Sequence, residues 1–277
     1  MNPASTMASA AVTWNPIKIL RGIWNRRDVC LQLARREIEQ VYRGSVLGFL
    51  WIVIQPLILL AVYALVFLKV FSRPGDGLGQ SEFVLGMFLG IVVYTFFTEA
   101  VNRAPQLVLA NPSYVKRVVF PLEVLPVSVV LALLLNLVIG LILLLAADLV
   151  FLGRLPLTAL WIPGILLPLL LLTLGASWFL ASLGVFLRDI PQIVRALTLV
   201  LMFLTPIFWD IGQAQGLEPW IYLNPLTCVV VPAKQALVLG QAPDLLLLGL
   251  VTVFAIFFAW AGYLWFAKTR PAFADVL

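Results

Sequence analysis

RRDVCLQLARREIEQVYRGSVLGFLWIVIQPLILLAVYALVFLKVF, residues 26–71, joins a charged amphipathic run to an apolar one. In the first half, Cys30, Leu31, Ala34, Ile38, Val41 and Tyr42 fall within about 120° of arc at helical spacing. Asp28, Gln32, Arg35, Arg36, Glu39, Gln40 and Arg43 occupy much of the other side, and Glu39 is within i±4 reach of Arg35 and Arg43. Such a helix lies in a membrane interface, apolar side toward acyl chains and arginines toward headgroups. In the second half, Gly44 to Leu68 carry no charge. As a helix they extend roughly 37 Å, enough to cross a hydrocarbon core of about 30 Å with some tilt. Gly44 and Ser45 are the only candidates for a bend between the two halves.

Composition extends this reading to the whole chain. Of 277 residues, 62% are hydrophobic and 11% charged, against about 45–50% and about 25% in soluble domains. The chain is expected to be an all-α polytopic membrane protein. The net charge of +5 belongs to cytoplasmic loops rather than to a nucleic-acid surface, because no folded soluble face is available to carry it. The absence of histidine and of any CxxC pair removes the usual zinc sites. Cys30 and Cys228 fall on segments expected on opposite sides of the membrane, so no intrachain disulfide is expected.

Six crossings are expected, at about 46–70, 83–101, 124–148, 162–187, 192–208 and 245–267. Gln55-Pro56 should kink the first. Gly86 and Gly90 make the second a close-packing helix. A Pro-rich stretch, 102–120, interrupts the apolar pattern and is expected to hold a short helix near 104–110. Before the last crossing, the runs 217–223 and 226–239 are too short to span and are expected to be re-entrant or interfacial helices on the outer side. Residues 1–25 are expected to be a mobile cytoplasmic N-terminus without signal-peptide character, 26–43 the amphipathic interfacial helix, 44–270 the membrane domain and 271–277 a cytoplasmic tail. With both termini inside, 14 of the 18 Lys and Arg fall on cytoplasmic segments, in the sense that orients membrane proteins.

The chain contains no GxxxxGK[ST] phosphate loop. No carboxylate is expected deep in a span; Glu99 and Asp148 lie near span ends. Intrinsic catalysis and ion coupling are therefore disfavoured. Trp51, Tyr94, Phe97, Phe203 and Phe208 lie in or beside spans. They read either as lipid-facing bulk and interfacial belts or as the lining of a conduit, where aromatic faces stack on sugar rings.

Four ordered stretches carry a resemblance: VYRGSVLGFLWIVIQPLILLAVYALVF (41–67), NPSYVKRVVFPLEVLPVSVVL (111–131), FLRDIPQIVRALTLVLMFLTPIFW (186–209) and YLNPLTCVVVPAKQAL (222–237). Together they resemble the type-2 ABC exporter permeases that move polysaccharides, from about residue 28 to the C-terminus. The resemblance implies export of lipid-linked O-antigen, with capsule and teichoic acid permeases as alternatives. It implies a homodimer working with two ATPase subunits in the bacterial inner membrane. The chain itself would bind no cofactor, ATP and Mg residing on the partner. The loop after the second span would dock on the ATPase, placing Arg103, Pro105, Gln106 and Leu107 there, with Arg188 and Asp189 from the loop after the fourth. Arg35, Arg36, Arg43, Lys116 and Arg117 lie at the cytoplasmic interface. They would hold the substrate's pyrophosphate by charge-assisted hydrogen bonds, or serve only to orient the chain in the membrane. An ATP-independent flippase or secondary transporter and a non-transporting anchor subunit are the rival classes.

Overall fold

The computed structural model describes residues 15–69, 79–115, 120–213 and 216–276, and its regular elements among these are all helical. The first described element is α1 (Pro16–Asn25), a helix within the stretch 1–25 expected to be mobile. The local cause is an Asn-Pro start. Asn15 Oδ1 accepts from the backbone N–H of Ile17 at 2.9 Å and Lys18 at 3.4 Å, and Pro16 occupies the first helical position. α2 (Arg27–Tyr42) follows after a break at Arg26.

The amphipathic face of α2 is only partly used as expected. Cys30 and Ala34 are buried, and Cys30 packs in a cluster with Leu122, Val124, Phe266 and Phe273, while Leu31 and Val41 remain exposed. One strip of the face therefore lies on protein and the other stays exposed. The bend falls at Gly44, whose φ is +82°, a conformation that glycine adopts without steric cost. A single 3₁₀ turn, Gly48–Leu50, then leads into α3 (Trp51–Lys69).

α4 (Gln80–Arg103) and α6 (Val124–Leu152) pack along each other at the centre of the bundle; the short α5 (Pro112–Val115) lies between them in sequence. α7 (Ile162–Phe186) and α11 (Leu245–Thr269) form the most intimate helix pair. The reason is glycine against glycine. A Cβ at Gly262 would sit 2.3 Å from the carbonyl oxygen of Gly175, so the two backbones approach to a distance no other residue permits. Gly86 and Gly90 also permit close packing, but against Lys234 and Ile207 rather than against another long helix.

Among the described residues, five helical stretches are long and apolar enough to cross a membrane: Gly48–Val66, Gln80–Gln106, Val124–Leu152, Leu157–Phe186 and Leu245–Val276. The crossing expected at 192–208 is α8 (Ile190–Leu204), 15 residues long, or roughly 22 Å. It stops at Leu204 because Pro206 disfavours helical geometry at the residue before it. α8 nonetheless runs antiparallel along α4. Ile190 and Val194 cluster with Val101, the Tyr94 hydroxyl donates to the Thr198 carbonyl at 2.7 Å, and Ile207 lies against Gly90. The two outer runs are α9 (Glu218–Ile221) and α10 (Thr227–Lys234), the latter continued by a π-helical turn, Gln235–Leu239. α12 (Phe273–Val276) ends the described chain.

α6 differs from expectation at its far end. It continues four residues beyond Asp148, which is fully buried and has no hydrogen-bond partner among the described residues. Asp148 is thus an interior carboxylate rather than a residue closing the helix. The run 104–110 forms a 3₁₀ turn, Ala104–Gln106, followed by turns, not a helix of its own.

Candidate functional site: a basic cleft and a coupling turn at one end of the bundle

The C-terminal ends of α4, α7 and α11 and the N-terminal ends of α6 and α8 meet at the end of the bundle where α2 lies. Their junction is tied by Glu123, only 7% exposed. Its carboxylate accepts from Arg26 and, at 3.1 Å, from Arg270, while its backbone carbonyl accepts from Trp178 Nε1 at 3.0 Å. Arg270 also donates to the Phe120 carbonyl at 2.9 Å. One carboxylate therefore links the α1–α2 break, the start of α6 and the end of α11. Two charged partners offset the cost of burying it. Sequence reasoning passed over Glu123, because its partners lie 97 and 147 residues away and leave no local signature.

Along α2, Arg35 pairs with Glu39 at 2.7 Å on an exposed face. Arg36 reaches across to α5 and donates to the Tyr114 hydroxyl at 3.2 Å; the Tyr114 ring in turn stacks on Phe120 at 4.3 Å. Lys116 and Arg117 lie outside the described residues. Arg36, Glu39, Tyr42, Arg43 and Phe49 line a cleft of about 500 Å³. Tyr42 also lines an adjoining cleft of about 360 Å³ between α3, α4 and α6, with Trp51, Gln55, Glu99 and Asn136 in its wall. A basic, exposed cleft thus opens beside a largely apolar one.

The expected coupling residues separate into two kinds. Pro105 is buried, packed so closely on α7 that a Cβ at Gly184 would sit 2.1 Å from its carbonyl oxygen. Gln106, Arg188 and Asp189 are exposed, Leu107 is half-buried, and Arg103 pairs with Glu99 at 3.2 Å. The Ala104–Gln106 turn and the loop after α7 thus share one surface, with Pro105 beneath it rather than on it.

The aromatic residues do not converge within one chain. Trp51 donates from Nε1 to Ser45 Oγ at 3.0 Å and faces the α3–α4–α6 cleft. Tyr94 is committed to α8 through Thr198, and Phe97 packs between two buried clusters. Phe203 is 64% exposed at the end of α8, and Phe208 is half-buried just beyond it.

The opposite end of the bundle holds a second polar group that sequence reading did not single out. Arg154 pairs with Glu82 at 2.8 Å and donates to the Val238 carbonyl at 3.1 Å, and Thr158 donates to the Ala236 carbonyl. Carbonyls of the π-helical turn are thus satisfied by side chains, as irregular backbone inside a membrane protein requires. Lys234 Nζ donates to the carbonyls of Pro206 at 2.7 Å and Ile207 at 3.3 Å. α10 lies outside the five long apolar helices, and burial pushes the Lys234 ammonium down to about 8, with nearby Asp210 pulling the other way. Cys30 and Cys228, at opposite ends, are both free and buried.

An all-helical bundle with five apolar helices long enough to cross a membrane, among the described residues, is the architecture of a polytopic membrane protein. The chain belongs to the ABC-2 type transporter family, whose profile matches residues 28–238. Membership implies pairing with an ABC ATPase subunit. Among curated proteins it is similar to the O-antigen export system permease protein RfbA of Myxococcus xanthus, 28% identical over 263 residues, covering 94% of this chain and 99% of the relative. It is also similar to the protein of the same name from Klebsiella pneumoniae, 23% identical over 252 residues, covering 90% of this chain and 95% of the relative.

Proposed function

We propose that this chain is the membrane-spanning subunit of an ATP-driven exporter of O-antigen, carried as a polyprenyl-pyrophosphate-linked glycan across the bacterial inner membrane. The observation that carries this reading is the end-to-end similarity to O-antigen export permeases, with 99% of the Myxococcus xanthus relative covered. Two copies act with two ATPase subunits, on which ATP and Mg reside. Both termini face the cytoplasm, and α8 with the bent segment 205–209 completes a sixth crossing. α9 and α10 re-enter from the outer side.

The geometry supports a sequence of steps. The lipid-linked pyrophosphate meets Arg36 and Arg43 in the basic cleft, joined by Arg35, Lys116 and Arg117, and guanidinium forks match its oxygens. The polyprenyl chain remains in lipid or enters the adjoining apolar cleft. ATP binding on the partner displaces the Ala104–Gln106 turn together with Arg188 and Asp189. Because the turn sits on Gly184 without clearance, its motion is passed to α7 and, through the Gly175–Gly262 contact, to α11. Opening at the seam between two copies brings Trp51, Phe203 and Phe208 to the passage.

The test is co-purification of the chain with its ATPase, followed by an ATPase assay with lipid-linked O-antigen in nanodiscs. Stimulation by that substrate, and not by lipid-linked capsule or teichoic acid precursors, is the expected result. A chain that binds no ATPase, or turnover indifferent to the glycan, refutes the reading.

A further inference from the structure

The end of the bundle opposite the basic cleft carries a cleft of about 340 Å³ that the steps above do not use. Glu82 and Gly86 of α4, Trp209, Asp210 and Gln213 after the α8 break, and Lys234 and Gln235 of the α10 region line it. Its size falls within the about 300–1,000 Å³ of small-molecule sites, where an apolar wall carries a few convergent polar groups. Besides the Lys234 ammonium, the charged and amide groups here are two carboxylates and two carboxamides, planar groups that accept from, or donate to, adjacent hydroxyls.

The charge of the cleft is close to balanced. Glu82 is neutralised by Arg154 at 2.8 Å, and Lys234 lies near Asp210 with its ammonium occupied by the Pro206 and Ile207 carbonyls. A phosphate would find no free cationic fork among these groups. One oxygen of Asp210, Oδ2, is enclosed without a hydrogen-bond partner among the described residues. A buried acceptor left unmet is costly, and a hydroxyl donor arriving nearby lowers that cost once the side chain turns toward it.

Trp209 supplies the apolar face. Its Nε1 donates to the Phe203 carbonyl at 3.1 Å, which fixes the ring. Trp209 and Gln213 also line a second, shallower cleft, with Phe203 and Leu217, so the indole stands between two adjoining depressions. The C–H face of a pyranose packs against an aromatic ring while its equatorial hydroxyls reach the carboxylates and amides at the rim. Two adjoining, charge-balanced depressions that share Trp209 fit a neutral chain of sugars better than a compact anion.

We propose that this cleft is a saccharide subsite that holds a neutral sugar unit of the glycan, with Trp209 as the stacking platform and Asp210, Gln213 and Gln235 as hydroxyl partners. The proposal rests on the exporter reading above, which makes this the exit end. It adds a sugar contact separate from the headgroup contact at the entrance. The glycan is then held at both ends of its path.

The test uses the purified permease–ATPase complex in nanodiscs and the lipid-free O-polysaccharide released from the source strain by mild acid. Saturation-transfer NMR and calorimetry measure binding. The intact complex is expected to bind the lipid-free polysaccharide, and Trp209→Ala and Asp210→Asn to weaken binding at least tenfold. Gln213→Ala, an exposed position, is expected to weaken it severalfold without endangering the fold; co-elution with the ATPase checks assembly of each variant. Inorganic pyrophosphate should not compete. Equal binding by the intact complex and assembled Gln213→Ala and Asp210→Asn overturns the site, as does competition by pyrophosphate. If lipid-linked glycan stimulates the ATPase but lipid-free polysaccharide does not bind, the subsite is overturned and the exporter reading stands. If neither occurs, the exporter reading itself fails.

Discussion

Replacing Gly184 by alanine tests the proposed coupling role of the Ala104–Gln106 turn and its link to the bundle. The new Cβ would lie 2.1 Å from the Pro105 carbonyl oxygen, 2.6 Å from its Cα and 2.7 Å from its carbonyl carbon. All three are backbone atoms, so no side-chain rotation relieves the overlap. Carbon contacts are optimal at about 3.5–4.0 Å, so the turn must move outward by roughly 1 Å. Overpacking of this kind costs about 1–3 kcal/mol, while alanine for glycine in a helix returns up to about 1 kcal/mol. Gly249→Ala in α11 is the matched control, because a Cβ there meets nothing within 4 Å. The propensity gain is similar in the two variants, so their difference isolates the packing cost at about 1–3 kcal/mol. Gly140→Ala provides an intermediate case, since its nearest neighbours are side-chain rather than backbone atoms, the Val92 methyls at 2.8 and 3.1 Å. Intrinsic-fluorescence melting in detergent should place Gly184→Ala lowest, Gly140→Ala between and Gly249→Ala at or above the parent. The reconstituted complex of Gly184→Ala should lose glycan-stimulated ATPase activity. A Gly184→Ala protein that melts with Gly249→Ala and remains stimulated refutes a close-fitting turn as the transmitter.

Three other outcomes can be checked. Arg36→Glu and Lys116→Glu should each reduce the ratio of glycan-stimulated to basal ATPase activity. Loss of one juxtamembrane cation removes on the order of 1 kcal/mol, or about fivefold in affinity, and charge reversal removes more; normal export by a correctly inserted double variant refutes a headgroup role. Glu123→Gln should destabilise the fold by about 1–3 kcal/mol, between surface and buried ion-pair values because Arg26 and Arg270 keep 44% and 35% of their side-chain surface exposed; an unchanged melting temperature and an unchanged rate of C-terminal proteolysis would contradict this. In a chain lacking Cys30 and Cys228, a cysteine at Gly75 should react with an impermeant maleimide in intact spheroplasts, and one at Arg188 only after permeabilisation; the reverse pattern refutes the topology.

What the sequence made legible follows from how local each signal is. The long apolar runs define α3, α4, α6, α7 and α11, because crossing lipid demands length and hydropathy whatever surrounds the helix. The Gly44 bend was legible for the same reason, since a glycine between an interfacial run and a span has few other uses. The end of α8 was less so. Thr205-Pro206 was visible, but hydropathy continues through Ile207, Phe208 and Trp209, and only the structure shows the chain leaving the helix there, with Ile207 packing on Gly90 and its carbonyl accepting from Lys234. The Asn15-Pro16 cap was legible in principle and was outweighed by the unpatterned residues before it.

The candidate sites divide along the same line. Arg35, Arg36 and Arg43 stand out by sequence because they share one helix, and the cleft at the end of α2 brings two of them together. Glu123, Glu82, Asp210 and Lys234 each look like isolated charges in the chain. Each acquires its role from a neighbour that folding brings from elsewhere. In a protein with so few charges, that isolation is itself informative: an ionisable group among apolar residues is costly unless the fold supplies a partner. Glu82 finds Arg154, Glu123 finds two arginines, and Lys234 finds two carbonyls freed where α8 ends. The charges therefore mark where the helical pattern is interrupted. Those interruptions lie at the two ends of the bundle, one beside the basic cleft and coupling turn and the other at the Trp209 groove. Between them the helices are apolar, and the buried Asp148 lies near the far end of α6, four residues before that helix stops; on the exporter reading proposed above, this leaves a glycan no charged stopping point between the two ends.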